Sequence, residues 1–212
     1  MKKVIKYQII FDYLQSLFPN AETELHFTNP FQLLVAVMLS AQTTDKQVNK
    51  VTDQLFKKIK QPEDILAMGL ENFEQAIKSI GLYKNKAKHI FQTSKLLAEH
   101  EGIIPKTQIE LMKLPWVGEK TAKVVLHVLY NEPVIAVDTH VHRICNRLGI
   151  VKTKTPLQTS KLLETTIPKK YKQIAHHCMI LFGRYYCTAR NPKCADCKLN
   201  TLCPYFISSK NK

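Results

Sequence analysis

Apolar residues recur at helical spacing along nearly the whole chain, and no segment shows the strict apolar and polar alternation of a half-buried strand. The pattern predicts an all-α protein. Gly81 and Gly149 follow two helical segments, where a helix is expected to stop, and Thr107 with Glu110 has the spacing of a capping box. The ten predicted helices cover residues 30–40, 45–58, 62–68, 70–79, 84–99, 108–113, 120–130, 139–148, 156–165 and 172–185.

The first nineteen residues also fit a helix better than an export signal. Lys6, Gln8 and Asp12 interrupt the apolar stretch that a signal peptide needs. Since no apolar run approaches the roughly 18 residues of a membrane span, we expect a cytoplasmic protein with no membrane partner, in which cysteines stay reduced. Helical spacing predicts one apolar face on this first helix, made of Val4, Ile5, Ile9, Tyr13, Leu14 and Leu17.

Four of the six cysteines form a C-x6-C-x2-C-x5-C run within 17 residues, directly after a predicted helix. Thiolates this close in sequence converge when they bind a shared metal. A zinc ion and a [4Fe–4S] cluster both accept four cysteines, so the run alone leaves the metal open. The other two, Cys145 and Cys178, lie in apolar helical segments and are expected to be small buried hydrophobes. The four residues of the run are Cys187, Cys194, Cys197 and Cys203.

The chain is strongly basic, with a formal net charge of +14. Residues 152–212 hold twelve Lys or Arg against two Asp or Glu, so +10 of the +14 lies there. Such a bias suits a polyanionic partner such as nucleic acid. Four of these basic residues surround the cysteine run, where a metal-held loop could contact phosphates: Arg184, Arg190, Lys193 and Lys198.

Two tight connections combine residues that suit phosphate binding and catalysis. Residues 114–122 read L-P-W-V-G-E-K-T-A between two predicted helices. A short hairpin that opens a helix presents N–H groups and a positive dipole end to an anion. Residues 136–140 read A-V-D-T-H just before another helix. On these residues alone, Asp138 could be only an N-cap and Lys120 only a solvated lysine of a first helical turn.

Taken together, these segments resemble the endonuclease III family of DNA glycosylases, within the helix-hairpin-helix superfamily. The resemblance rests on the hairpin, the V-D-T-H segment and the cysteine run, and it extends to L-S-A-Q-T-T-D at 39–45 and G-L-Y at 81–83. It implies two helical domains with a DNA-binding groove between them. One is a six-helix barrel with the helix-hairpin-helix motif over residues 22–133, and the other is an iron–sulfur cluster domain made of residues 1–21 with 134–212.

The resemblance also implies an activity, that of a bifunctional DNA glycosylase and AP lyase of base excision repair. Such an enzyme removes oxidised pyrimidines from double-stranded DNA and cleaves abasic sites by β-elimination, after flipping the nucleotide out of the stack. It implies Lys120 as the nucleophile and Asp138 as the carboxylate that assists it. The four cysteines are then ligands of a [4Fe–4S] cluster. We further expect a monomer that works at the nucleoid and contacts DNA through Gln42, Leu82, Pro115, Val117, Gly118, His140 and Lys193.

One departure from the family and three rival functions remain open. The family hairpin has glycine where this chain has Trp116, its only tryptophan. A bulky side chain there implies either a different DNA contact or a codon that the cell reads as glycine. An adenine-removing mismatch glycosylase is the nearest rival, although it lacks the hairpin lysine. A non-catalytic DNA-binding module and a metal-cluster electron carrier are rivals of other classes.

Overall fold

The computed structural model describes residues 3–210, and within this range the chain consists of helices joined by turns and loops, with no strand. The prediction of an all-α protein is confirmed. The last helix, Pro204–Lys210, was not predicted from the sequence. The helices are α1 (Lys3–Leu17), α2 (Pro30–Leu39), α3 (Asp45–Leu55), α4 (Pro62–Met68), α5 (Leu70–Ala76), α6 (Tyr83–Ala98), α7 (Gln108–Leu111), α8 (Glu119–Tyr130), α9 (Thr139–Arg147), α10 (Pro156–Thr166), α11 (Lys169–Tyr185) and α12 (Pro204–Lys210), with a 3-10 turn at Asn200–Leu202.

The chain divides into two compact units. Residues Glu24–Tyr130 form one, called here the central unit. The residues up to Thr23 and those from Asn131 onward form the other, called the terminal unit. Among the helices of residues 3–210, none is both long and apolar enough to cross a membrane.

Helix α2 forms the centre of the central unit because it is apolar on almost every side. All nine residues from Phe31 to Leu39 are buried, and a helix of this kind must be covered all round. Helices α3, α6 and α8 pack against it. Asn29 caps α2 by accepting a hydrogen bond from the Gln32 N–H at 2.9 Å, and Pro30 occupies the first turn, where a proline removes no helical hydrogen bond.

In the terminal unit, α1 packs on α11, and α11 also packs on α9. The predicted apolar face of α1 is partly wrong, because Ile5 and Ile9 are exposed. The side chain of Val4 lies outside the described residues. The buried face instead starts at an aromatic residue and follows the i, i+3, i+4, i+7 rule. Its members are Tyr7, Ile10, Phe11 and Leu14, with Tyr13 beside them.

Two predicted helix-end signals have a different geometry from that expected. Thr107 Oγ1 accepts a hydrogen bond from the Glu110 N–H at 3.2 Å. The Glu110 carboxylate, however, accepts one from the Thr107 hydroxyl at 2.7 Å, so the reciprocal capping box is only half formed. Gly149 follows the end of α9, as predicted, and has φ of 61°. Gly81 lies five residues beyond the end of α5 at Ala76, and the left-handed residue before α6 is Leu82, with φ of 59°.

Candidate functional site

The hairpin before α8 is fixed by contacts inside the central unit. The side chains of Leu114 and Val117 are buried, and the Val117 N–H donates to the Leu114 carbonyl at 3.1 Å. The Thr93 hydroxyl donates to the Pro115 carbonyl at 3.3 Å. Val117, which was expected to contact DNA, has an inward side chain and an internally bonded N–H, and both shape the hairpin. Pro115 is half-buried and Gly118 is exposed.

Trp116 occupies the tip of this hairpin in a backbone conformation that glycine favours. Its φ is 65°, and its side chain is 42% exposed. A left-handed conformation costs an L-residue about 1–2 kcal/mol. The indole stacks on the His89 ring, with centroids 4.7 Å apart and planes inclined by 27°. This stacking offsets part of the backbone cost and holds the indole along the surface of the hairpin.

Lys120 is the second residue of α8 and is exposed. It therefore lies at the positive end of the helix dipole. One turn further on, Lys123 is buried, and its Nζ lies 2.8 Å from Glu119 Oε1 in an ion pair within the same helix. The sequence analysis did not single out this pair, although its i, i+4 spacing was a signal for it. It adds a buried cation close to Lys120 along α8.

Gln42 and Leu82 lie at two turns of the central unit and share an unusual conformation. Both side chains are exposed, and φ is 55° for Gln42 and 59° for Leu82. With Trp116, they account for three of the five non-glycine residues with positive φ among the described residues. Such conformations persist only where the surroundings hold them, and they concentrate at functional sites.

Asp138 belongs to the terminal unit and caps α9. It follows the buried segment 135–137, and its Oδ1 accepts a hydrogen bond from the Val141 N–H at 2.8 Å. The N-cap role considered from the sequence is therefore confirmed. This bond fixes the orientation of a half-buried carboxylate at the start of the helix. Asp138 and Lys120 thus lie in different units.

His140, which was expected to contact DNA, forms a hydrogen bond with another residue of α9. Its Nδ1 accepts a hydrogen bond from Arg143 Nη2 at 3.2 Å. Here α9 approaches α11 at Gly183, where an added Cβ would lie 2.8 Å from the Cβ of His140. The glycine is required at this close approach, since real Cβ atoms do not come so near.

The four cysteines of the run line one pocket of the terminal unit, together with the aromatic side chains of Phe182, Tyr186 and Phe206. Burial raises the pKa of the Cys194 and Cys197 thiols, so a cationic metal is needed to hold them as thiolates. Within residues 3–210, no three metal-ligating side chains meet in the arrangement of a single ion. Four thiols that line one pocket fit the four-cysteine ligand set of a [4Fe–4S] cluster as well as that of a zinc ion.

Two arginines on α9 hold the loop that carries the cysteines, and the sequence analysis missed both. Arg143 Nη2 donates to the Gly183 carbonyl at 2.7 Å and to the Cys187 carbonyl at 3.2 Å. Arg147 donates to the carbonyls of Thr188 and Ala189 at 2.7 and 2.9 Å. Their i, i+4 spacing on one helix was the available signal.

The remaining predicted residues of the terminal unit are found as follows. Lys193 is exposed, and its Nζ lies 5.8 Å from the centroid of the Tyr186 ring. Cys145 and Cys178 are buried, which confirms their predicted packing role. Burial raises the pKa of both thiols, that of Cys178 to about 11.

Two protein-family models match this chain. One, described as an HhH-GPD superfamily base excision DNA repair protein, matches residues 35–169. The other, the iron–sulfur binding domain of endonuclease III, matches residues 187–203, a segment that contains the four pocket cysteines and neither of the other two. Of the two metal groups that the run allowed, the match selects the iron–sulfur cluster, and the cofactor is a [4Fe–4S] cluster.

Known proteins resemble the chain over most of its length. It is 52% identical over 194 residues to endonuclease III of Bacillus subtilis (strain 168), covering 91% of this chain and 89% of the relative. It is 45% identical over 188 residues to endonuclease III of Escherichia coli (strain K12), covering 88% and 89%. A solved structure of a trapped covalent intermediate of endonuclease III and DNA, in an estranged-adenine complex, matches with a TM-score of 0.92 and 46% identity, covering 99% of both chains.

These similarities favour a DNA glycosylase and AP lyase of base excision repair over the three rival functions. They agree with the order of the motifs along the chain and with the pocket of four cysteines. By sequence, by fold and by its cluster-binding segment, the chain belongs to the endonuclease III family.

Proposed function

We propose that this chain removes oxidised pyrimidines from double-stranded DNA and cleaves the resulting abasic site, with Lys120 as the nucleophile. The observation that carries the proposal is the position of Lys120, exposed at the N-terminal end of α8 directly after the hairpin. A lysine so placed can reach a sugar whose phosphates contact the hairpin and the start of the helix. Its neutral amine is the form that attacks carbon.

The covalent steps balance with the lysine, the DNA and water alone. Lys120 Nζ attacks C1′, the glycosidic bond breaks, and the base leaves with a proton. The C1′–O4′ bond of the sugar ring then breaks, O4′ takes up the proton that the amine loses, and a Schiff base forms at C1′. The Schiff base acidifies the C2′ proton, whose loss expels the 3′ phosphate and cleaves the strand. Water then hydrolyses the imine and returns the lysine. The positive end of α8 disfavours the ammonium form of Lys120, and the first step requires the neutral amine.

Asp138 is proposed as the carboxylate that supports this chemistry. The Val141 N–H bonds one of its oxygens and fixes its direction. A fixed negative charge stabilises the cationic sugar that develops as the base departs. The same carboxylate can accept the proton that Lys120 must lose. Its N-cap bond and its catalytic role are compatible, because a carboxylate offers two oxygens.

The proposed DNA contacts come from both units. In the central unit, Leu82 offers an exposed apolar side chain that suits insertion into a base step, and Gln42 a polar one. Pro115 and Gly118 lie on the hairpin, while Val117 supports it from within. His140 and Lys193 are the contacts proposed for the terminal unit. We further propose that the central unit corresponds to the barrel domain, that the terminal unit corresponds to the cluster domain, and that the enzyme works as a monomer on cytoplasmic, nucleoid DNA.

The cluster is proposed to have a structural role in this reaction. Cys187, Cys194, Cys197 and Cys203 would hold it through four iron–sulfur bonds. When bound, it supplies a covalent anchor for the loop between α11 and α12. Lys193 and Lys198 are exposed on that loop, so anchoring it places two cations at a fixed site for phosphate binding.

The proposal is tested by incubating the protein with duplexes that contain thymine glycol or an abasic site, with and without borohydride. We expect strand cleavage at both lesions and, with borohydride, a covalent protein–DNA adduct.

Lys120→Ala should abolish cleavage and adduct while DNA binding persists. Asp138→Asn should slow turnover by about two orders of magnitude or more with a small effect on binding. Release of adenine from a mismatch with no lyase step would favour the adenine-removing alternative.

A further inference from the structure

Lys86 is a buried lysine that the proposed chemistry does not use. It lies on α6 and is only 1% exposed. Its Nζ donates to the Leu39 carbonyl at 2.8 Å and to the Thr43 hydroxyl at 2.9 Å. Both acceptors are neutral, and burial lowers the pKa of the ammonium group. A charge buried in this way is costly, so its presence calls for a function.

The two acceptors of Lys86 lie on either side of Gln42. Leu39 is the last residue of α2, and Thr43 immediately precedes Thr44, the N-cap of α3. The turn between them is closed by a hydrogen bond from the Thr43 N–H to the Ser40 carbonyl at 3.1 Å. A single ammonium group therefore ties together both ends of the turn that holds Gln42 in its left-handed conformation.

The backbone of Lys86 also forms a hydrogen bond with the turn that contains Leu82. Its N–H donates to the Leu82 carbonyl at 3.0 Å, in the first turn of α6. Leu82 is the left-handed residue from which that helix starts. Lys86 thus contacts the Gln42 turn with its side chain and the Leu82 turn with its backbone.

A second link joins the same two regions. The Gln47 side-chain amide, in the first turns of α3, donates to the carbonyl of Ser79 at 3.3 Å and lies 3.2 Å from its hydroxyl. Ser79 lies three residues before Leu82. Hydrogen bonds from Lys86 and from Gln47 therefore connect the region of the Gln42 turn with that of the Leu82 turn. Of these two donor residues, only Lys86 is buried.

We propose that Lys86 is a positioning residue that fixes the spacing between Gln42 and Leu82, so that both side chains enter the base stack together. The inference rests on the proposed function, in which these two residues fill the space left by the flipped nucleotide. A left-handed non-glycine residue keeps its conformation only where neighbours over-determine it. An ammonium group with three donors can hold two acceptors at once, which an apolar side chain of the same length cannot.

The test compares Lys86→Met with wild type as full-length protein loaded with its cluster. Methionine keeps an unbranched apolar stem and removes the donors. We expect single-turnover base release from a thymine-glycol duplex to fall about tenfold or more. Borohydride trapping on an abasic duplex, which has no base to extrude, should fall about threefold or less. The fluorescence of 2-aminopurine opposite the lesion should rise with wild type on binding and rise less with Lys86→Met, because the stack is opened less.

Lys95→Met is the matched control, because Lys95 is an exposed lysine on the same helix and the substitution removes the same charge. It should behave as wild type in all three measurements. Thr43→Val removes one acceptor of the Lys86 ammonium group while keeping the shape of the side chain. It should lower base release in the same direction and less strongly, and it decides the question if Lys86→Met fails to fold.

Wild-type base release by folded Lys86→Met, or by Thr43→Val where the first variant does not fold, would overturn the inference. An equal loss of base release and of trapping in a folded variant would also overturn it, because it would indicate a general role. If wild type itself releases no base and forms no adduct, the proposed function fails, and this outcome is distinguishable from failure of the Lys86 variants.

Discussion

At the scale of single residues, exposure and a left-handed backbone occur together at Gln42 and Leu82, which are proposed to contact DNA, and at Trp116. Leu82 is 50% exposed and Trp116 is 42% exposed, and both have positive φ. Neither feature stabilises the isolated protein, since an exposed apolar side chain gains little from burial and a left-handed L-residue costs about 1–2 kcal/mol. We infer that Leu82 has this exposed, left-handed conformation for its role when DNA is bound.

Leu82→Ala should separate stability from activity. Half of the leucine side chain is already in water, so we expect the free energy of unfolding to change by about 0.5 kcal/mol or less. Base release from a thymine-glycol duplex should fall about tenfold, because alanine is too short to fill the gap in the stack. Leu96→Ala, which truncates another exposed leucine of α6, is the control. Thermal unfolding and single-turnover kinetics measure the two effects, and an unchanged rate for Leu82→Ala would remove it from the site.

Trp116→Gly should strengthen the binding of undamaged DNA several-fold, because a backbone without a side chain approaches phosphates more closely. Its effect on stability should be small. Relief of about 1–2 kcal/mol of backbone strain offsets the loss of about 0.5–1.5 kcal/mol of stacking on His89. Fluorescence anisotropy of a labelled duplex measures the affinity, and weaker binding would mean that the indole itself contacts DNA. Mass spectrometry of the hairpin peptide from native cells tests the alternative that this codon is read as glycine.

At the scale of helices and loops, α9 supports the cluster loop as well as Asp138. Arg147 donates to two carbonyls of that loop, and its guanidinium lies 4.2 Å from the centroid of the Tyr205 ring. The iron–sulfur bonds proposed for the four cysteines would therefore hold the same segment that this arginine binds.

Arg147→Met should loosen the loop without unfolding the protein. We expect the helical circular dichroism to be unchanged and iron release to a chelator to become several-fold faster, because the carbonyls of the loop lose their charged donors. Arg190→Met changes an exposed arginine of the same loop and is the control. Visible absorbance of the cluster follows the release. Equal rates for the two variants would contradict a supporting role for Arg147.

At this scale, the sequence could predict only features that lie within a short continuous segment of the chain. Helix α10 begins at Pro156 as expected, because Thr155 Oγ1 caps it by accepting from the Gln158 N–H at 3.2 Å. The cysteine run and the hairpin were also recognisable, since each is a short continuous segment. The contacts of Lys86 and Arg143 could not be predicted, because their acceptors are far away along the chain. Leu39 lies 47 residues from Lys86, and Gly183 lies 40 residues from Arg143. The left-handed conformation of Leu82 was not predicted either.

At the scale of the whole molecule, charge is distributed unevenly, with +10 of the formal +14 in residues 152–212. Cations on a surface that contacts DNA release counterions, so affinity should fall steeply as salt rises. The chemistry at a flipped nucleotide is local and should respond far less to salt once the complex is saturated. Affinity and catalysis can therefore be tested separately.

The double variant Lys193→Glu and Lys198→Glu tests the charge argument. Both side chains are exposed on the cluster loop. We expect weaker binding to undamaged duplex, and a slope of log affinity against log salt that is flatter by roughly one for each lost phosphate contact. The rate of adduct formation in a saturated complex should be unchanged. An unchanged slope would show that these lysines form a solvated face.

The central claim, that Lys120 forms the covalent bond to DNA, is tested most directly by identifying the attached residue. Wild-type protein is trapped with borohydride on an abasic duplex, digested with protease and nuclease, and analysed by tandem mass spectrometry. We expect a reduced sugar adduct on Lys120, in the peptide that contains the hairpin, and no adduct in Lys120→Ala. An adduct on Lys123, the buried lysine of the same helix, or an undiminished adduct in Lys120→Ala, would contradict it.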